Sequence, residues 1–205
     1  MPNRIAFITP SAPVLQPEAP AGPQWIHEVK FDGWRMQLHK AGDRVVMFSR
    51  NGVDMTKRFA MIRDKVLSLP AASVIMDAEL VACDSDGKPD FDALMNGQRE
   101  NLCAWCFDLL ELDGRDMRHL PLIERKAALR ELLITADDDA LRYSDEFDDP
   151  ENLLAVATKM GLEGIVSKRR DQHYRSGKNP SWVKVKTATW LAANRDRYKL
   201  FEKSR

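Results

Sequence analysis

The stretch Glu28-Val29-Lys30-Phe31-Asp32-Gly33-Trp34-Arg35 places three ionisable side chains at alternate positions and follows them with a glycine. On a strand, Glu28, Lys30 and Asp32 share one face, where an ordinary amphipathic strand would carry apolar residues. Gly33 permits a backbone bend or a close approach to a ligand. A lysine attacks an electrophile only when deprotonated, so a nucleophilic Lys30 needs burial or neighbouring cations to depress its pKa. Near the other end of the chain, Lys184 and Lys186 alternate within WVKVK and point the same way, as two cations holding one phosphate would. Taken singly, each of these patterns also describes a solvated strand face or a surface lysine pair.

The elements that must hold these residues read as a mixture of short strands and a few helices. Residues 25–40 and RVVMFSR are strand-like, with a turn at Ala41-Gly42-Asp43, and Asn51-Gly52 marks another turn. Asp54 is expected to cap a helix running to Leu69, with Phe59, Ile62, Val66 and Leu69 on one face. ASVIMDAELVAC (72–83) and LCAWCFDLLEL (102–112) form strands, with turns at Asp86-Gly87 and Asp113-Gly114. Pro121 starts a helix that runs to about Leu133, and Pro150 opens one that Gly161 ends. GIVSKR and WVKVK return to strand character. This irregular order predicts an α+β fold of antiparallel sheets flanked by helices, rather than βαβ repeats. Five prolines between residues 9 and 23 predict an extended N-terminal arm over 1–23.

Several of these segments, in order, resemble the motifs of the covalent nucleotidyltransferases, the group of ATP- and NAD-dependent DNA ligases, RNA ligases and mRNA capping enzymes. EVKFDGWR resembles motif I, and SRNG (49–52) the segment that follows it in DNA ligases. MDAEL (76–80) resembles the acidic strand beside ribose and metal. CFDLLELDG (106–114) resembles motif III, EGIVSKR (163–169) motif IV, and WVKVK (182–186) motif V. Any one is weak, but the set in family order is specific, and the wording is most similar to bacterial ligase D-type enzymes of end joining.

The resemblance implies a covalent nucleotidyltransferase (ATP-grasp-like) fold over residues 24–190 and an ATP-dependent DNA ligase. Lys30 would take AMP from ATP, transfer it to a 5′-phosphate and so seal nicked duplex DNA in repair. Glu28, Arg35, Arg50, Glu79, Phe107, Lys168, Lys184 and Lys186 would bind ATP or AMP, with Phe107 stacked on adenine and Glu28 near its edge. Glu79 and Glu163 would face a Mg²⁺ or Mn²⁺ ion, which accepts a few carboxylates beside water and phosphate oxygens. An RNA ligase or capping-type enzyme is the alternative within this chemistry. A nucleotide- or DNA-binding accessory module is the alternative outside it.

Ligases of this kind carry an oligonucleotide-binding (OB) domain after motif V. The roughly twenty residues after Lys186 are too few for a five-stranded barrel, so residues 191–205 read as a basic tail; a fragment of a longer chain, a natural minimal ligase and a chain helped by an OB-domain partner in trans all fit, with other repair proteins as further partners. Zero net charge hides an asymmetry: residues 161–205 hold 12 Lys and Arg against 4 Asp and Glu, whereas residues 137–151 hold 8 acids and one base. That distribution fits one basic face or two solvated segments equally well. No apolar run is long enough to span a membrane, and three cysteines predict no disulfide framework, as in a monomer of a reducing cytoplasm. Cys103 and Cys106 would face opposite sides of a strand, which argues against zinc or redox chemistry. His27, His39, His119 and His173 lack metal-ligand spacing, and Tyr174, Arg175, Ser176 and Lys178 read as a polar connector.

Overall fold

Apolar residues recur through the strand-forming runs, and helices separate them, two of which begin at or just after a proline, Pro121 and Pro150. The computed structural model describes residues 6–83, 93, 94, 96 and 101–195. The elements are β1 (Ser11–Leu15), β2 (Trp25–Lys30), β3 (Trp34–Ala41), β4 (Arg44–Ser49), α1 (Ala60–Leu67), β5 (Ser73–Ala82), β6 (Leu102–Leu112), β7 (Arg115–Asp116), α2 (Leu122–Ala136), β8 (Leu141–Tyr143), α3 (Pro150–Lys159), β9 (Gly164–Arg169), β10 (Gly177–Lys186) and α4 (Ala188–Ala193). The turn expected at Asp86-Gly87 and the tail beyond Arg195 lie outside the described residues.

Two units interleave along the sequence. The larger draws on Met1–Ala12, Asp32–Ser144 and Arg170–Asn179, and the smaller on Pro13–Phe31, Asp145–Arg169 and Pro180–Arg205. The chain crosses between them several times, which is why no single boundary can be read from the sequence.

The larger unit is built on a six-stranded sheet of order β4-β3-β5-β6-β7, with β8 paired to β6. The β6–β8 pair is parallel, a departure from the antiparallel expectation. A crossover is needed to bring the chain back in the same direction, and α2 is part of it. Met36, Leu38, Met76 and Leu109 on the sheet meet Ile62 and Val66 of α1 and Leu129 of α2 in one core. Helix α1 starts at Ala60, not near Asp54. Asp54 instead accepts the Thr56 N–H at 2.9 Å, a local turn that competes with helix capping. The four residues predicted for its apolar face, Phe59, Ile62, Val66 and Leu69, are all buried.

The smaller unit is built on a four-stranded sheet of order β1-β10-β9-β2. Leu153 and Ala157 of α3 pack on Ile165, Val183 and Val185. Asp149 caps α3 by accepting the N–H groups of Glu151 at 3.1 Å and Asn152 at 3.0 Å, and Gly161 follows the helix with φ +70°. Part of the proline-rich arm is β1, at the sheet edge. Pro13 is tolerated there because an edge strand can forgo one ladder donor.

Candidate active site

Three neighbouring strands of the smaller unit bring Lys30, Glu163 and Lys186 together. On β9, Gly164 lies opposite Lys30 of β2 on one side and Lys186 of β10 on the other. A Cβ at Gly164 would stand 1.9 Å from the Val185 carbonyl oxygen, so only glycine lets the strands approach this closely. Glu163, immediately before it, divides its carboxylate between two ammonium groups. The Lys30 Nζ donates to Oε2 at 2.7 Å and the Lys186 Nζ to Oε1 at 2.9 Å. Burial alone would raise the Glu163 carboxyl, but the two lysines outweigh it and hold it below the usual carboxylate range.

The flanking residues fix the lysines. Thr187 receives the N–H of Trp190 at its hydroxyl and so caps α4, and its own N–H donates to the Glu163 carbonyl at 2.9 Å. This cap sets the Trp190 ring 4.0 Å from the Lys186 Nζ, a cation–π contact. Neither Thr187 nor Trp190 was marked by the sequence, because both lie after the last motif.

On the same face of the sheet, Lys168 donates to Glu28 at 2.8 Å, with both side chains almost fully buried, and its Nζ lies 4.4 Å from the Trp182 ring centroid. The sequence assigned Glu28 and Lys168 to the nucleotide separately, and the structure joins them. Lys184 is half-buried on β10 between Trp182 and Lys186, with Val183 and Val185 turned into the core. Asp32 departs from expectation, since β2 ends at Lys30 and Asp32 lies past it. Gly33 passes so close to β5 that a Cβ would lie 2.3 Å from the Leu80 carbonyl oxygen, so only glycine fits there.

The remaining predicted residues lie in the larger unit. Arg35 on β3 stands opposite Glu79 on β5. Its guanidinium grips Asp77, with Nε donating to Oδ1 at 3.1 Å and Nη2 to Oδ2 at 2.8 Å. Burial would lower the Arg35 pKa, but the Asp77 charge raises it further. Phe107 is the residue skipped where the β5–β6 register shifts, between the pairs Asp77–Asp108 and Ala78–Cys106. A bulge re-aims a side chain, and here the Phe107 ring centroid comes 5.2 Å from the Arg35 guanidinium carbon. Arg50 sits on the exposed turn after β4. The sequence reading missed Asp77, although it lies within MDAEL, and treated Tyr174 as a connector. The Tyr174 hydroxyl in fact donates to Asp77 at 2.8 Å.

Among the described residues, no three His, Cys, Asp or Glu side chains group as a metal cage. Cys103 and Cys106 are buried, and burial pushes both thiols up to about 12, far from reactive thiolates. No helix among the described residues is long and apolar enough to cross a membrane.

The chain is similar to known proteins in both sequence and fold. Residues 18–186 match the family model of the ATP dependent DNA ligase domain. The chain is 38% identical over 185 residues to the multifunctional non-homologous end joining protein LigD of Pseudomonas aeruginosa, covering 88% of this chain and 22% of that one. It is 36% identical over 170 residues to a probable DNA ligase of Beutenbergia cavernae, covering 78% of this chain and 33% of that one. The crystal structure of the ligase domain of M. tuberculosis LigD superposes with a TM-score of 0.76 at 31% identity, over 87% of this chain and 60% of that one. The chain thus spans about a fifth to a third of the length of these curated relatives. With the family model covering most of its residues and the α+β nucleotidyltransferase architecture in place, the chain belongs to the ATP-dependent DNA ligases, of which it carries the adenylation domain.

Proposed function

We propose that Lys30 is the nucleophile of an ATP-dependent DNA ligase core that seals nicks in duplex DNA. The carrying observation is the Glu163 carboxylate held between Lys30 and Lys186 across Gly164. In the first step a new bond forms between the Lys30 Nζ and the α-phosphorus of ATP, and the bond to pyrophosphate breaks. AMP then passes from Lys30 to a 5′-phosphate, and a 3′-hydroxyl displaces it to close the strand.

Lys30 must shed a proton before it attacks. Glu163 favours its charged form and Lys186, a neighbouring cation, disfavours it, so the balance between these two partners sets how readily Lys30 reacts. Charge that spreads over phosphate oxygens in the transition state calls for positioned cations. Lys184 and Lys186 suit that task. Arg35, Arg50, Glu79 and Phe107 are assigned to nucleotide contacts on the family relation. The buried Glu28–Lys168 pair would hold a base-facing carboxylate in place. Glu79 and Glu163 would each lend one carboxylate to Mg²⁺ or Mn²⁺, which would supply further charge stabilisation to the phosphates.

Incubation with ATP and Mg²⁺ or Mn²⁺ should add one AMP to the intact mass, and Lys30→Ala should abolish the addition. No adduct on the wild type with either metal, or an undiminished adduct on Lys30→Ala, would reject the assignment. Discharge of the adduct by nicked duplex DNA, and not by a nicked RNA–DNA hybrid, is the expected substrate preference.

A further inference from the structure

The steps above give Tyr174 no task, yet its hydroxyl closes a ring of polar groups in the larger unit. The hydroxyl oxygen accepts the Ser11 N–H at 3.0 Å, and its O–H donates to Asp77 Oδ2 at 2.8 Å. Asp77 takes the forked donation of Arg35 at 3.1 and 2.8 Å, and a third guanidinium nitrogen donates to the Ser11 carbonyl. The circuit runs Tyr174, Asp77, Arg35, Ser11 and back to Tyr174. Asn179 Nδ2 steadies Ser11 by donating to its hydroxyl at 2.9 Å. Asp77 and Ser11 are fully buried and the Arg35 side chain is 14% exposed.

A bidentate guanidinium–carboxylate pair fixes the plane of both groups. Asp77 can hold that plane only if its own oxygens are oriented, and Oδ2 is shared between Arg35 and Tyr174. The Ser11 backbone limits the Arg35 tip from another direction, and its N–H is in turn held by Tyr174. With the ring closed, the guanidinium stays beside the Phe107 ring.

We propose that Tyr174 is a positioning residue for nucleotide binding: through Asp77 and Ser11 it sets the Arg35 guanidinium in the place from which it contacts the ribose or phosphates of ATP. This rests on the assignment of Arg35 to the nucleotide. The competing reading is a loop anchor, which fastens residues 170–179 without bearing on the ligand.

The test uses equilibrium binding to the full chain in a Lys30→Ala background, which takes AMP transfer out of the measurement. Adding Tyr174→Phe is expected to raise the Kd for ATP by about 3- to 10-fold, the usual range for one hydrogen bond in such a network. Adenine, which has neither ribose nor phosphate, should compete within twofold of its former inhibition constant. An unchanged Kd for ATP in a cooperatively melting variant would overturn the proposal, as would equal weakening of ATP and adenine. Should Tyr174→Phe fail to melt cooperatively, Asp77→Asn, which keeps the side-chain volume, is read by the same criteria. Failure of Lys30→Ala itself to bind ATP would reject the nucleotide assignment and this inference together. An absent AMP adduct on the wild type, with ATP binding intact, would reject only the role of Lys30.

Discussion

Arg125–Asp108 in the larger unit and Lys30–Glu163–Lys186 in the smaller one are both cation–carboxylate clusters, yet they are built to opposite ends. Arg125 and Asp108 are wholly buried. The Arg125 Nε and Nη2 donate to the two carboxylate oxygens at 2.7 and 2.8 Å, and Nη1 donates to the carbonyls of Leu120 and Gln172 at 2.7 and 3.1 Å. Asp108 also accepts the Leu109 N–H at 2.9 Å. Arginine does not give up its proton in proteins, so this cluster is a fixed joint between β6, α2 and the 170–179 loop. In the other cluster two lysines share one carboxylate, and their side chains are 21% and 11% exposed. Lysine can lose its proton, and exposure gives a substrate access. Saturation with rigid donors marks the structural pair, and shared, deprotonable partners mark the cluster proposed to react.

The largest expected effects separate the two clusters outright. Lys30→Ala should remove all AMP adduct while shifting stability by less than about 1 kcal/mol, as for a partly exposed ion pair. Arg125→Ala should do the converse and destabilise the fold by about 3–5 kcal/mol by leaving Asp108 buried without its cation. Denaturant melts beside intact-mass assays of both variants would break the comparison if Arg125→Ala melted like the wild type.

Acid sharpens the contrast, because each unit also buries a histidine. Burial lowers His39 to about 4 from its ordinary 6.5, against a weaker opposing pull from Asp77. Burial likewise lowers His27, against the charges of Asp148 and Asp149. Between pH 6.5 and about 4 the unfolded chain binds a proton at His39 that the folded chain refuses. Stability is therefore full above 6.5 and falls as the pH drops toward 4, by up to about 3 kcal/mol for His39. His39→Gln should flatten this limb in melts across pH. A limb that keeps its slope in both His39→Gln and His27→Gln would exclude the histidines as its source.

The smallest effect expected is at the rim of the reactive cluster. Trp190→Leu removes the ring beneath Lys186 and should cost about 1–2 kcal/mol, the worth of one partly buried cation–π contact. It should slow AMP adduct formation only a few-fold, measured by the time course of mass addition. A loss as complete as that of Lys30→Ala would mean that the ring does more than steady the lysine.

Much of this could be read in the chain itself. The strand expected over 102–112 is β6 as observed, and 72–83 contains β5. The Pro150 start and Gly161 stop of α3 also hold, because a proline, a capping acid and a glycine act on their immediate neighbours. The α1 start failed for the same local reason, since Thr56 captures Asp54 before a helix can. Motif order pointed to Lys30, Glu163 and Lys186, but not to their shared hydrogen bonds.

What the sequence determined by itself is what depends on residue type and short spacing: the strand and helix runs and the charged groups available for phosphate chemistry. Only the tertiary structure decided which charges meet. Glu163 lies 133 residues from Lys30, Lys168 lies 140 from Glu28 and Tyr174 lies 97 from Asp77. Such pairs are chosen by strand register and by the cost of burying a charge without a partner. Neither leaves a mark on local spacing, and so the lysine proposed as nucleophile could be singled out from the chain while its hydrogen bonds had to be seen in the fold.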